Sequence, residues 1–111
     1  SGLRFASENS KQATVQAIAA TRLARVQIAR NEAQKALDTL KTVKLDGYAA
    51  ELEAIRGDAY AALGKTDEAV KAYDAALAAT DVAAPQRRTI EVKRDDLKAG
   101  VAAAAKPVEQ G

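Results

Sequence analysis

Apolar residues recur at helical spacing along most of the chain. Tyr48, Leu52, Ile55 and Ala59 are separated by four, three and four residues, which places them on one face of an α-helix. The same spacing predicts helices at about 10–30, 32–43 and 48–63, a fourth that starts beside Thr66 and a fifth that starts at Pro85. We therefore expect an all-α fold.

Several residues are predicted to begin these helices or to face the core. Asp46 and Thr66 have short polar side chains suited to cap the third and fourth helices, and Pro85 suits a first turn, where no backbone donor is needed. The predicted buried sides of the first, fourth and fifth helices are Val15, Ile18, Leu23 and Val26, then Val70, Tyr73 and Leu77, then Ile90, Leu97 and Val101.

Two segments of the chain superimpose when Ala24 is aligned with Gly57. Small residues coincide at this pair of positions, where one helix must approach its partner closely. Residues that tolerate a left-handed backbone coincide at Asn31 and Gly64. The further matches in this repeat alignment are Gln27 with Tyr60, Ala36 with Ala69, Leu37 with Val70, Leu40 with Tyr73, and Val43 with Ala76.

A period of about 34 residues with small residues at these positions resembles the tetratricopeptide repeat. The resemblance predicts about two tetratricopeptide-type helical hairpins followed by a C-terminal capping helix. An ordinary antiparallel helical bundle with coincidental spacing is the alternative.

Composition supports helices and narrows the choice of partner. Of the 111 residues 48% are apolar, mostly alanine, whose small side chain favours helices and close helix packing. The net charge is +2, from 17 basic and 15 acidic residues, and acidic residues interleave with the basic ones of the fifth helix. Nucleic acid binding needs a clustered basic face, so we expect no nucleic acid partner.

Catalytic chemistry has little support in the sequence. With no His and no Cys, the commonest general base, nucleophile and metal ligands are absent. Gly64-Lys65-Thr66 resembles the end of a phosphate-binding loop, but the position of that motif's first glycine is Ala59, inside a predicted helix. We expect a binding scaffold rather than an enzyme, with no catalytic residue, metal or cofactor.

A closer resemblance is carried by several strings in order over about residues 8–100. These strings are Ala24-Arg25-Val26-Gln27, Leu40-Lys41-Thr42-Val43-Lys44, Asp46-Gly47-Tyr48-Ala49-Ala50, Arg56-Gly57-Asp58 and Val92-Lys93-Arg94-Asp95-Asp96-Leu97. Together they resemble the C-terminal part of the YfgM-like ancillary subunits of the bacterial Sec translocon. The Ala-rich sequence after Leu97 departs from the pattern of that family.

The resemblance implies a location and partners that composition does not show. YfgM-like proteins carry one N-terminal inner-membrane helix and a periplasmic repeat domain, and they associate with translocon subunits and a periplasmic chaperone. We therefore expect the periplasmic side of the bacterial inner membrane, with the cytoplasm as the alternative. Membrane contact is expected only through an anchor outside this sequence, and unfolded, newly translocated proteins are further expected partners.

The predicted organisation leaves the first helix short of a neighbour. We expect a cloning scar and flexible lead-in over 1–9, a helical domain over 10–100 and a frayed tail over 101–111. Because stacked repeats stabilise one another, the first helix is expected to have lost an upstream neighbour or to pair with another chain. The functional hypotheses are therefore a chaperone-like adaptor at the translocon, or a structural element that forms a homodimer through its first helix.

The resemblance to tetratricopeptide repeats also selects candidate partner-binding residues. In these repeats the first helix of each hairpin lines a groove, which here would be formed by Thr21, Arg25, Ile28, Ala54, Asp58 and Ala61. We expect a shallow groove for an extended segment or a helix. The alternative is that Arg25 and Asp58 pair across the helices. The family's clamp for peptide carboxylates needs Asn and Lys at such positions, and neither is present.

Overall fold

The computed structural model describes residues 2–43, 48–79 and 82–105, all of them in helices or short connections. The five helices are α1 (Gly2–Ala29), α2 (Ala33–Lys41), α3 (Ala49–Ala62), α4 (Thr66–Ala78) and α5 (Ala84–Ala105). Helices α1 and α2 form one hairpin, α3 and α4 form the second, and α5 packs on α4. The predicted all-α fold of two hairpins and a C-terminal helix is confirmed.

The turns inside the two hairpins repeat each other bond for bond. Asn31 has a φ of 63° and Gly64 a φ of 76°, so each hairpin turns on one left-handed residue. The backbone N–H of Glu32 donates to the carbonyl of Gln27 at 2.7 Å, and that of Lys65 donates to Tyr60 at 2.9 Å. This helix-ending geometry ends α1 and α3 at equivalent positions and confirms the repeat alignment.

Two small clusters form the core. The first lies among α1, α2 and α3, and its largest fully buried side chains are Leu40 and Ile55. The second lies between the second hairpin and α5 and consists of Ala69, Tyr73, Ala76 and Ile90. Alanine supplies much of both clusters, so the helices approach one another closely around a few large side chains.

The predicted close approach at Ala24 and Gly57 is confirmed. The two hairpins differ in the pair of side chains that meet there. Ala24 is fully buried in the first hairpin, where Leu40 occupies the facing position of the repeat. In the second hairpin the larger Tyr73 replaces the leucine, and its ring lies against Gly57. A Cβ atom on Gly57 would lie 2.5 Å from Cε1 of Tyr73. Glycine is therefore required there by the tyrosine.

The predicted buried side of α1 was wrong for three of its four residues, whereas the fourth, Ile18, is half-buried. Val15 is 64% exposed, Val26 is 50% exposed and Leu23 is 49% exposed. The buried residues are instead the small ones, Ala17, Thr21 and Ala24, at intervals of four and three residues. Small residues let α1 approach α2 closely, and this places the large aliphatic side chains on the opposite side of the helix.

Several helix limits also differ from the prediction. Helix α1 begins at Gly2 and α5 continues to Ala105, so the helix limits do not coincide with the predicted domain limits at 10 and 100. Alanines 102–105 favour continuation because alanine is the best helix former. The cap predicted at Thr66 was wrong: Lys65 holds that position without a side-chain bond, and Thr66 is the first helical residue.

Pro85 lies in the first turn of α5, as predicted. The predicted cap at Asp46 lies outside the described residues, as do the last six residues of the predicted tail, 106–111. Among the helices of the described part of the chain, none combines the length and the apolar character needed to cross a membrane.

Candidate protein-binding groove

The α1 residues of the predicted groove differ in what they offer to a partner. Thr21 is only 4% exposed, and its hydroxyl donates to the carbonyl of Ile18 at 2.8 Å. Ile28 is half-buried and packs against the first core cluster. Arg25 is therefore the predicted α1 residue that presents a polar side chain at the surface.

Arg25 links α1 to α3. Its Nη2 atom lies 3.0 Å from Oε1 of Glu51, in an exposed ion pair. The alternative in which Arg25 pairs with Asp58 was wrong, because each of these residues has a different partner. An exposed pair of this kind is worth at most about 1 kcal/mol, so Arg25 can exchange Glu51 for a ligand at little cost.

Asp58 is the point at which α3, α4 and α5 meet. The hydroxyl of Tyr73, on α4, donates to Oδ1 of Asp58. Nζ of Lys93, on α5, lies 3.1 Å from Oδ1 and 3.3 Å from Oδ2. One carboxylate thus joins the second hairpin to the final helix.

Tyr73 stays protonated in this arrangement. Burial raises the pKa of its hydroxyl well above the ordinary value of 10.0, and the hydrogen bond to Asp58 raises it further. The hydroxyl therefore remains a donor to Asp58 at neutral pH.

An open cavity of about 320 Å³ lies beside this network, between α3 and α5. Its apolar lining includes Tyr73, Ala61 and Leu97. Asp58, Lys93 and Asp96 place both signs of charge at its rim. The cavity can accept a small apolar side chain while the rim contacts polar groups of the same segment.

The structure brings two of the six predicted residues, Asp58 and Ala61, to this cavity. Ala54 lies one turn before Asp58 and is half-buried against the second core cluster. Arg25 lies across α3 from the cavity, at the α1–α3 junction. The cavity therefore lies between α3 and α5, whereas the predicted groove residues lie on α1 and α3.

Sequence reasoning missed the contribution of α5. Lys93, Asp96 and Leu97 are spaced three and one residues apart, which places them on one side of a helix, but no residue of α5 was included in the predicted groove. That spacing was the available signal. Tyr73 was assigned to the core, which is correct for its ring but leaves out its hydroxyl.

A second cavity, of about 250 Å³, lies between α2 and α3. Basic side chains dominate its lining, which consists of Gln34, Leu37, Lys41, Arg56, Tyr60 and Lys65. Arg56 is already paired with Glu53. Within the described residues, no group of three or more acidic side chains is placed to hold a metal ion.

Comparisons with known proteins agree with the repeat fold. The family model described as a tetratricopeptide repeat-like domain matches residues 1–99. The chain is 34% identical over 96 residues to the ancillary SecYEG translocon subunit of Neisseria gonorrhoeae (strain ATCC 700825 / FA 1090), and the match covers 86% of the chain and 46% of that relative. The chain thus spans about half the length of that relative, and the resemblance inferred from the sequence is confirmed. No solved structure matches the chain.

Proposed function

Because the chain belongs to the tetratricopeptide repeat-like family, we propose that it is a protein-binding adaptor domain that acts beside the Sec translocon. The observation that carries the proposal is the open cavity between α3 and α5, whose lining of apolar and charged side chains suits a peptide segment. Stacked helical repeats generally use such concave surfaces to bind proteins.

The finer proposal concerns partner and compartment. The relative is named for the SecYEG translocon, so we propose SecYEG as the partner and the periplasmic side of the inner membrane as the site of action. Newly translocated, unfolded chains are the proposed clients, since an extended segment fits a cavity with one small apolar pocket. In this role the domain binds and does not catalyse.

The proposed binding surface keeps four of the predicted groove residues in contact with a ligand. Asp58 and Ala61 contact it in the cavity, and Ala54 and Arg25 extend the surface along α3 toward α1. Thr21 and Ile28 support α1 from within. Asp96, on the exposed rim, is the better position for a test, because a change at Asp58 would also break its contacts to Tyr73 and Lys93.

The test is binding of the purified chain to a bacterial SecYEG complex in lipid nanodiscs. We expect Asp96→Lys to weaken binding at least about fivefold, since reversing a charge at an interface places like charges together. Asp38→Lys is the matched control, because Asp38 is an exposed aspartate on α2, away from the cavity. Equal binding by both variants, with helicity intact by circular dichroism, would refute the placement of the surface.

A homodimer through α1 is the second candidate function. Three exposed aliphatic side chains on that helix, Val15, Leu23 and Val26, favour it. Mass measurement by light scattering over a hundredfold range of concentration separates the candidates. A tight dimer that Val26→Gln dissociates would support assembly, and a monomer that retains SecYEG binding would exclude it.

A further inference from the structure

The cavity between α2 and α3 differs from the cavity between α3 and α5 in the chemistry of its lining. Its polar side chains are all able to donate hydrogen bonds, and they are Gln34, Lys41, Arg56, Tyr60 and Lys65. No aspartate or glutamate lines it among the described residues, whereas both signs of charge line the cavity between α3 and α5. We call the cavity between α2 and α3 the basic cavity.

Both hairpins contribute to the basic cavity. Its lining residues are spaced three and four residues apart on α2 and four apart on α3, so each set lies along one side of its helix. Lys65 comes from the turn between α3 and α4. Arg56 and Tyr60 line this cavity, whereas Asp58 and Ala61 of the same helix line the other one. The two cavities therefore lie on different sides of α3.

The cations of the basic cavity are only partly neutralised. Nη1 of Arg56 lies 2.5 Å from Oε1 of Glu53, which leaves the other guanidinium N–H groups available. Nζ of Lys41 lies 3.9 Å from Oδ1 of Asp38 in an exposed pair, which contributes little. Lys65 is exposed and forms no ion pair with another described residue. The cavity therefore has an excess of positive charge.

The corresponding junction of the second hairpin shows which charge is lacking. The repeat alignment places Lys41 on Asp74, and Oδ1 of Asp74 accepts a hydrogen bond from Nη1 of Arg94, on α5, at 3.1 Å. The junction of α4 with α5 thus supplies its own carboxylate. At the junction of α2 with α3 the described lining supplies none, so a carboxylate from a ligand would contact cations on both helices.

We propose that the basic cavity binds a carboxylate side chain of an acidic, extended segment of another protein. Leu37 and the ring of Tyr60 offer apolar contact to the methylene groups of a glutamate. A third cavity, of about 220 Å³, shares Arg56 and Tyr60 with the basic cavity and continues toward α4 through Lys71 and Ala72. This continuation suits a segment of several residues better than a small anion. The site is separate from the cavity between α3 and α5, so both can be occupied at the same time.

Two labelled peptides of about eight residues test the proposal, a length that in the extended state reaches across a helix. They are identical except at the central positions, which carry glutamate in one peptide and glutamine, of the same shape, in the other. Fluorescence anisotropy with the full chain is expected to show at least about tenfold tighter binding of the glutamate peptide, since hydrogen bonds to a charged group are the stronger ones. The difference is expected to shrink between about 0.05 M and about 0.5 M salt, because salt screens exposed charges.

Substitution identifies the surface. Lys65→Glu is expected to weaken binding of the glutamate peptide at least about fivefold, because it places like charges together. Lys98→Glu is the matched control, since the repeat alignment places Lys98 on Lys65 and Lys98 is exposed on α5. Lys41→Glu changes a different helix and should weaken binding as Lys65→Glu does. Circular dichroism verifies that all three variants remain helical.

Other outcomes would overturn the proposal. Equal binding of both peptides, or equal effects of Lys65→Glu and Lys98→Glu, would show that no acidic segment is recognised in the basic cavity. Displacement of the glutamate peptide by inorganic phosphate at equal concentration would assign the cavity to a small anion. Binding to phosphatidylglycerol vesicles that Lys65→Glu abolishes, without binding of the glutamate peptide, would assign it to a lipid surface. These results are independent of the SecYEG test with Asp96→Lys, which probes the cavity between α3 and α5.

Discussion

The contact between Gly57 and Tyr73 supports a sharp prediction about stability. A methyl group at position 57 would lie 2.5 Å from Cε1, 2.6 Å from Cδ1 and 2.9 Å from Cζ of Tyr73, against 3.4 Å for ordinary contact. Gly57→Ala therefore forces the ring away from α3. The ring is only 2% exposed, and its hydroxyl donates to Asp58, so its displacement disturbs both packing and a hydrogen bond.

The expected magnitude follows from three effects. Alanine is favoured over glycine within a helix by about 1 kcal/mol. Overpacking a core costs about 1–3 kcal/mol, and loss of a hydrogen bond to a charged group costs about 1.5–3 kcal/mol. Together these effects predict that Gly57→Ala lowers the free energy of unfolding by about 1.5–5 kcal/mol. The melting temperature should fall by about 4–8 °C for each kcal/mol.

The assay is urea unfolding followed by circular dichroism, with two further variants. Gly100→Ala is the matched control, because nothing lies within 4 Å of a Cβ atom at that helical glycine, and it should raise stability by about 0.5–1 kcal/mol. Combining Gly57→Ala with Tyr73→Leu recreates the Ala24 and Leu40 pair of the first hairpin. The combination should cost clearly less than the sum of its single changes. Additive costs, or a stabilising Gly57→Ala, would refute the reasoning.

Three further predictions concern the turns, the central carboxylate and pH. Asn31→Val should destabilise the chain by about 1–2 kcal/mol, because φ is 63° at this position and valine disfavours a left-handed backbone. Asn31→Gly should not destabilise it. Urea unfolding measures both variants, and equal costs would contradict the left-handed geometry. Asp58→Ala should cost about 1–3 kcal/mol because Tyr73 loses its acceptor. Arg25→Ala should cost less than about 0.5 kcal/mol by the same measurement, and the reverse order would contradict the assigned contacts. The third prediction is that stability falls as pH rises above about 10, the ordinary pKa of tyrosine. The pKa of Tyr73 is raised in the folded state, so above this pH the unfolded chain releases the proton of Tyr73 while the folded chain still holds it. Unfolding then becomes more favourable with each further rise in pH. Tyr73→Phe should lessen this loss, as measured by urea midpoints between about pH 9 and about pH 12.

The repeat was predictable from the sequence because its signals are local. Asn31 and Gly64 are residue types that tolerate a left-handed backbone, and Ala24 and Gly57 are small where helices cross closely. Each signal depends on one residue and its immediate geometry, so a single alignment of the two segments was enough to match both hairpins. The structure repeats even the hydrogen bonds of the two turns.

The orientation of α1 could not be predicted in the same way. Its large aliphatic residues fall on one side, and burial of the largest side chains is the usual expectation. The opposite side, with Ala17, Thr21 and Ala24, is the one that packs, because the closeness of α1 to α2 depends on small residues in both helices. This choice depends on the partner helix rather than on the sequence of α1 alone.

The residues that line the cavity were predicted only in part, for a related reason. The family pattern selected residues on α1 and α3, and two of them, Asp58 and Ala61, line the cavity. It omitted α5, whose contact with the groove, from Lys93 to Asp58, joins residues 35 positions apart. Spacing within one helix does not show which carboxylate a lysine on another helix will meet.

The central claim is that the cavity between α3 and α5 is the protein-binding surface. Site-specific photo-crosslinking to SecYEG tests this claim most directly. A benzophenone amino acid replaces Asp96 at the rim of the cavity or, as the control, Ala75 on the exposed side of α4. The chain is then irradiated with SecYEG in nanodiscs under conditions in which binding is measurable. The account predicts crosslinks to SecYEG from position 96 and few or none from position 75. Crosslinks from position 75 without any from position 96 would contradict it.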